Sequence, residues 1–212
     1  AVLEIMRSFY LEKSFISDLE LLIPNGRVLR RNGSWYNATH VLDFEEEKAK
    51  GAYISDREKN PFETGAYVMR NAVPVVRDGE TVAMLYSVVD LQNASRGYRA
   101  DAYDGHAFVL IVDGSTGDIL LDTWHNKLGN IADLGGRKFL RGTDFENSVE
   151  GLRWGGSGDM SFISQTTGEV LYTHYEPVGI NNWSVILGVP EKVALEGTRG
   201  VVRTLYKMTI IV

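Results

Sequence analysis

The sequence contains no cysteine, which excludes a disulfide framework, a thiolate nucleophile and any thiolate-held zinc or iron–sulfur centre. Its four histidines, His40, His106, His125 and His174, stand singly along the chain, so no metal-ligand spacing is visible. There is no block of lysine and arginine, and 22 basic residues against 28 acidic ones leave a net charge of −6. A nucleic-acid footprint needs clustered positive charge to displace counterions, which speaks against nucleic acid as a partner. No G-x-S-x-G elbow, G-x-x-x-x-G-K-[ST] loop or H-E-x-x-H pair occurs. The residues therefore offer no catalytic constellation and no cofactor or metal site.

What remains is a globular composition: 212 residues, 44% apolar and 24% charged, with 22 glycines and 5 prolines. Four segments pair apolar, β-branched runs around turn chemistry: Ile16 to Arg31 about Pro24-Asn25-Gly26, Tyr67 to Asp90 about Asp78-Gly79, Phe108 to Thr123 about Asp113 to Asp118, and Glu169 to Val189 about Gly179 to Asn182. Each reads as an antiparallel hairpin. Pro74 and Pro177 are expected near strand ends, where no ladder hydrogen bond is lost. The order hairpin, mixed segment, hairpin occurs twice, the second copy beginning about 90 residues after the first. The mixed segments, Asp43 to Lys50 and Ile131 to Val149, read as short helices and loops. Two tandem α+β modules follow, each a small antiparallel sheet with flanking helices.

Several local signals have plain readings. Asp113 to Asp118 lacks the ligand order of a calcium loop and reads as a hairpin turn. Gly151 to Gly158 is rich in glycine, but it precedes a strand-like segment, Met160 to Ser164, whereas phosphate cradles open a helix; it reads as a mobile loop. The four tryptophans read as core or rim aromatics. At the start, Val2, Ile5, Met6, Phe9 and Lys13 form a helical stripe over Ala1 to Phe15. After Pro190, Glu191 to Lys207 mixes apolar and basic residues before Thr209-Ile210-Ile211-Val212, which fits either an ordinary C-terminal element or the first residues of a transmembrane helix.

Taken in order, these pieces resemble the double Cache sensor domain. The matching residues are LLIPNGRVL and LIVDGSTGDIL, Tyr53-Ile54-Ser55-Asp56, Thr64-Gly65, Ala72-Val73-Pro74-Val75, Asp78-Gly79, Val82-Ala83-Met84-Leu85 and Asp90-Leu91. In the second half they are Tyr175-Glu176-Pro177-Val178 and Asn182-Trp183-Ser184-Val185 through Val189-Pro190. The resemblance spans nearly the whole chain. It implies an N-terminal helix over 1–15, a membrane-distal PAS-like module over 16–100, a membrane-proximal one over 101–192, and a C-terminal helix over 193–212 leading to a transmembrane segment. It also implies an extracytoplasmic, periplasmic or extracellular, non-enzymatic sensor in a membrane-anchored, homodimeric receptor. The output would be a histidine kinase, a chemoreceptor or a diguanylate cyclase, and Asp122 to His125 with Leu128-Gly129-Asn130 looks most like the last.

Ligands of such domains bind the distal module. The amino-acid-binding subgroup uses an Arg-x-Trp-Tyr segment and a strand-end Asp, and here those positions read Asp43-Phe44-Glu45-Glu46 and Val88, so that mode is not expected. Alternation places Met84, Tyr86 and Val88 on one strand face, with Tyr86 as its polar handle. Arg70 is a lone charge in an apolar run. It reads either as an ion pair with Asp56 or Asp90 or as an anion clamp for a carboxylate. Tyr53, Asp56 and Arg57 border the same region in relatives. The expected ligand set is Tyr53, Asp56, Arg57, Arg70 and Tyr86, for a small carboxylate or amine metabolite. The competing reading is a structural or protein-partner-binding module with no small-molecule ligand.

Overall fold

The computed structural model describes residues 2–9, 15–134, 139–142, 150–164 and 167–196. It is an α+β chain that divides into two units, residues 1–97 and 98–212.

The first unit is built from α1 (Val2–Ser8), β1 (Ile16–Leu22), β2 (Arg27–Arg30), β3 (Trp35–Asn37), α2 (Phe44–Lys50), β4 (Tyr53–Ile54), β5 (Glu58–Lys59), β6 (Tyr67–Arg77), β7 (Glu80–Asp90) and α3 (Leu91–Gly97). Its strands form one antiparallel sheet in the order β3-β2-β1-β7-β6-β4, with β5 also pairing with β6. Asp78 and Gly79 both take positive φ, 52° and 82°, the primed turn that a two-residue hairpin loop requires. The sheet is covered on both faces, so β1 is buried at five consecutive positions instead of alternating. One face carries Leu22, Val28, Ala72, Met84 and Tyr86 under Ala38, Leu42 and Phe44. The other carries Leu19, Leu21, Leu29 and Ala83 under Met6 of α1.

Helix α2 starts where the sequence places it. The Asp43 carboxylate caps it by accepting from the backbone N–H groups of Glu45 and Glu46 at 2.9 and 3.0 Å, and Gly51 at φ 71° ends it. The described part of the first helix is shorter than Ala1 to Phe15, and the stripe is corrected. Met6 is buried, but Val2, Ile5 and Phe9 are exposed, because Leu3 and Met6 are the residues that meet the sheet. Residues 10–14 lie outside the described residues. Pro74 is also not at a strand end: it sits inside β6 opposite Met84, past Ala72, the last residue of β6 that pairs with β4.

The second unit contains β8 (Phe108–Asp113), β9 (Ile119–Asp122), β10 (Phe139–Gly142), β11 (Gly158–Ile163), β12 (Val170–Pro177), β13 (Trp183–Pro190) and α4 (Glu191–Ala194). The antiparallel order is β10-β11-β12-β13-β8-β9. Its core, Phe108, Leu110, Val112, Ile119, Ile131, Leu152, Met160, Leu171, Tyr175 and Ile186, lies on one face. The Asp113 carboxylate accepts from the Ser115 N–H at 2.7 Å and the Thr116 hydroxyl at 2.9 Å, so the turn is held by side-chain hydrogen bonds. Of the segment Ile131 to Val149, the described residues hold a 3-10 turn, Ile131–Leu134, and β10, a strand where short helices and loops are expected; residues 135–138 and 143–149 lie outside the described residues. The expected C-terminal helix over 193–212 falls mostly outside the described residues.

The glycine-rich run is corrected as well. An added Cβ at Gly151 or Gly158 would lie 2.3 or 2.7 Å from the buried Tyr175 hydroxyl, so both glycines make room for that ring. Trp183 is buried and Trp124 packs on the core, whereas Trp154 is 85% exposed and belongs to the surface. Among the described residues, no helix is long and apolar enough to cross a membrane.

A Cβ at Gly188 would meet the buried Phe108 ring at 2.1 Å. Gly188→Ala is therefore expected to destabilise the second unit by about 1–3 kcal/mol through overpacking, read from urea unfolding. An unchanged midpoint would show that the ring can yield.

Candidate functional site

The sheet face under α2 gathers a row of buried and half-buried charged and phenolic groups. Alternation along β6 turns Val68, Arg70 and Ala72 to this face, and alternation along β7 turns Met84, Tyr86 and Val88 to it, all buried. Pairing across the sheet sets Glu20 opposite Tyr86, Tyr86 opposite Ala72, and Ala72 opposite Tyr53, so β1, β7, β6 and β4 contribute one row.

Two buried carboxylates organise this row. Glu47 of α2, 3% exposed, accepts from the Tyr86 hydroxyl at 2.8 Å, from the Tyr53 hydroxyl, and from the Lys50 ammonium at 2.6 Å. Burial pushes its carboxyl up, but the hydrogen bonds from Lys50, Tyr53 and Tyr86 outweigh that and hold it below the usual range. Glu20 of β1, 2% exposed, accepts from Arg70 Nε at 3.4 Å and from the Tyr36 hydroxyl at 3.3 Å. Burial raises its carboxyl above the ordinary value against the pull of Arg70. Burial, followed by the neighbouring carboxylate, also raises the phenols of Tyr36, Tyr53 and Tyr86, so all three stay protonated donors.

Arg70 is 1% exposed, and its ion-pair partners are Glu20 and Glu58, not Asp56 or Asp90. Its backbone is also fixed, with its N–H donating to the Ser55 hydroxyl at 2.9 Å. The guanidinium is already neutralised by protein carboxylates, so an incoming carboxylate would have to displace one of them. The cluster as built complements a cation better than an anion. Lys50, whose side chain is half exposed, already places its ammonium 5.2 Å from the centre of the Tyr53 ring, in a cation–π arrangement.

Of the five residues expected from the sequence, the fold brings Tyr53, Arg70 and Tyr86 together. Asp56 is exposed, and the Arg57 guanidinium stacks 4.3 Å from the Tyr67 ring centre, on a residue that alternates away from Arg70. Glu20, Glu47, Glu58 and Tyr36 were not singled out from the sequence. Glu20 carries the signal that flagged Arg70, a lone charge inside the apolar run Leu19-Glu20-Leu21-Leu22; Glu47 sits in the acidic run Glu45-Glu46-Glu47 and gives no such signal. In the second unit the segment after Asp122 has a local explanation. That buried carboxylate accepts from the N–H groups of Trp124, His125 and Lys127 at 2.9, 2.9 and 3.2 Å and so shapes the loop.

No family model and no curated protein sequence matches the chain. Solved structures do match. The extracellular domain of the candidate histidine kinase mmHK1S-Z3 aligns over 93% of this chain and 81% of its own, with 18% identity and a TM-score of 0.62. The ligand-binding domain of the Pseudomonas aeruginosa PAO1 amino-acid chemoreceptor PctB, in complex with L-Arg, aligns over 91% of this chain and 79% of its own, with 15% identity and a TM-score of 0.61. The ligand-binding domain of Mlp24 with asparagine aligns over 92% and 76%, with 13% identity and a TM-score of 0.54. The chain thus has the α+β, tandem PAS-like fold of extracellular sensor domains, as the sequence resemblance implies.

Glu47→Gln removes a charge-assisted acceptor from two buried or half-buried phenols and is expected to cost about 1.5–3 kcal/mol at neutral pH. Because the folded-state carboxyl is held below its unfolded value, this stabilisation is fully present above the unfolded range, near pH 4.3, and is lost as pH falls through the lower folded value. The gap between wild type and Glu47→Gln in urea unfolding should therefore close in acid. A gap independent of pH would remove the charge from the account.

Proposed function

We propose that this chain is the extracytoplasmic sensing module of a membrane-anchored signalling receptor, binding a small polar metabolite on the α2-covered face of the first unit. The observation that carries the proposal is the row of Glu20, Glu47, Glu58, Arg70, Tyr36, Tyr53 and Tyr86 on that face, within a fold shared with ligand-binding domains of kinases and chemoreceptors. Carboxylates outnumber cations among these groups, and the one buried guanidinium is already paired, so the ligand group that meets the protein here is an amine. It takes the place of the Lys50 ammonium beside Glu47 and Tyr53.

Signalling requires that the ligand bind two conformations with different affinity. Helix α1, packed on the opposite face of the same sheet, is the element proposed to move and pass its displacement to a cytoplasmic output domain. Its exposed Val2 and Ile5, with Phe9 just after it, suit pairing between two copies. The fold neighbours support a kinase or chemoreceptor output, while a diguanylate cyclase output rests on the 122–130 segment alone. The module itself is read as non-enzymatic. A second reading, a module that receives a protein partner, is favoured by the exposed Val73, Val76 and Val82 on the β6–β7 hairpin.

Thermal unfolding against amines, amino acids, organic acids, purines and sugars tests this. A ligand at about 100 times its dissociation constant adds roughly 2.7 kcal/mol, a shift of about 5–10 °C for a chain of this size. Amines are expected to give the shift, Lys50→Met to enlarge it and Tyr53→Phe to reduce it. A shift from carboxylates alone would retain the sensor and reject the amine assignment; flat curves throughout would move the function to the partner-binding reading.

A further inference from the structure

A cavity at the end of α1 lies outside the site above. It measures about 410 Å³ and is lined by Arg7, Ser17, Asp18, Arg30, Arg31 and Asn32. Three arginines and one aspartate thus line it, a local positive excess in a chain whose net charge is −6. That carboxylate is committed: Asp18 Oδ2 accepts from Arg30 Nε at 2.6 Å, and Oδ1 accepts from the Leu19 and Arg31 N–H groups at 2.8 and 3.3 Å.

The guanidiniums are only partly committed. Arg31 donates through Nε and Nη2 to the carbonyls of Met6, Arg7 and Phe9 at 3.2, 3.3 and 3.0 Å, which fixes it across the C-terminal end of α1. Arg7 donates through Nη2 to the Asn32 carbonyl at 3.1 Å, and Gly33, at φ 93°, leaves the space in which its side chain lies. Each guanidinium has five N–H donors in a fixed fork. The Nη1 groups of Arg7 and Arg31 are left over after these bonds, and so is the Asn32 side-chain amide, whose oxygen accepts from Ser34 at 2.8 and 2.7 Å, whereas the Arg30 guanidinium stacks 4.2 Å from the Phe62 ring centre.

Like charges gathered in one cavity repel. The remaining forked donors of Arg7 and Arg31, held together at the end of α1, match an oxyanion with several oxygens, the geometry in which arginine is most selective. We infer that this cavity is an oxyanion site for a phosphate group, free or carried on a small soluble metabolite, since the volume exceeds that of the group itself and falls in the range of ligand pockets. The bound anion would join Arg7 of α1 to Arg31, which follows β2, and so tie the helix to the sheet edge. Neither the amine reading nor the sensor reading is needed for this site.

The test is thermal unfolding of the whole chain in inorganic phosphate against sodium chloride at equal ionic strength. At tenfold the dissociation constant, phosphate is expected to raise the midpoint by about 3–6 °C beyond chloride. Arg7→Gln, at an exposed residue with a single hydrogen bond, should abolish that difference. Arg27→Gln, at an exposed arginine stacked on Trp35 outside the cavity, should retain it. Equal midpoints in the two salts, or an undiminished shift in Arg7→Gln, would overturn the assignment. Flotation with phosphatidate vesicles in the absence of any phosphate shift would also overturn it, by assigning the guanidiniums to a lipid surface.

Discussion

Everything proposed for the first unit depends on one non-local pairing, that of β1 with β7. Hairpins β1–β2 and β6–β7 are each closed by their own turns, but only the antiparallel register of Ile16–Leu22 against Glu80–Asp90 joins them into a sheet and sets Glu20 opposite Tyr86. The second unit repeats the device with β8 against β13, and the central order β2-β1-β7-β6 has its counterpart in β9-β8-β13-β12. In both units the first strand of the first hairpin meets the last strand of the second. Closing such a long loop costs chain entropy, which the apolar surface buried on the sheet faces offsets.

That constraint explains why charge is tolerated in the core. Arg70, Glu20 and Glu47 are nearly inaccessible, a costly arrangement unless every charge is paired and hydrogen-bonded. They are: Glu20 and Glu58 flank Arg70, and Glu47 gathers two phenols and an ammonium. Such a network adds little net stability, yet it fixes where α2 rests on the sheet. Lys50 is the loosest member, half exposed at the last turn of a seven-residue helix.

The arginine cavity shows how adjacent residues can face different tasks. Arg30 turns toward the side of Glu20, its register partner, and stacks on Phe62, while Arg31 reaches the carbonyls ending α1. Strand alternation makes this split inevitable. Asp18 holds both the Arg30 side chain and the Arg31 backbone, so one carboxylate fixes the two arginines as they part.

The sequence by itself determined the local elements, because turn chemistry and apolar periodicity act within a few residues. The four hairpins, the short helical segment over Asp43 to Lys50, the twofold internal repeat and the shared face of Met84, Tyr86 and Val88 were all legible there. It also marked Arg70 as out of place, and the same reasoning would have reached Glu20. Tertiary structure alone decided the partners. Asp56 and Asp90 are nearer to Arg70 in the chain than Glu20, but sheet order, which no local signal encodes, brings β1 across to β7 and within reach of β6. Glu47 remained invisible because an acidic helix run looks solvated until a sheet is laid beneath it, and glycines 151 and 158 looked mobile until Tyr175 was seen to need their space. Strand alternation and capping are short-range rules; ion-pair choice and close packing depend on which distant segments the buried apolar surface draws together.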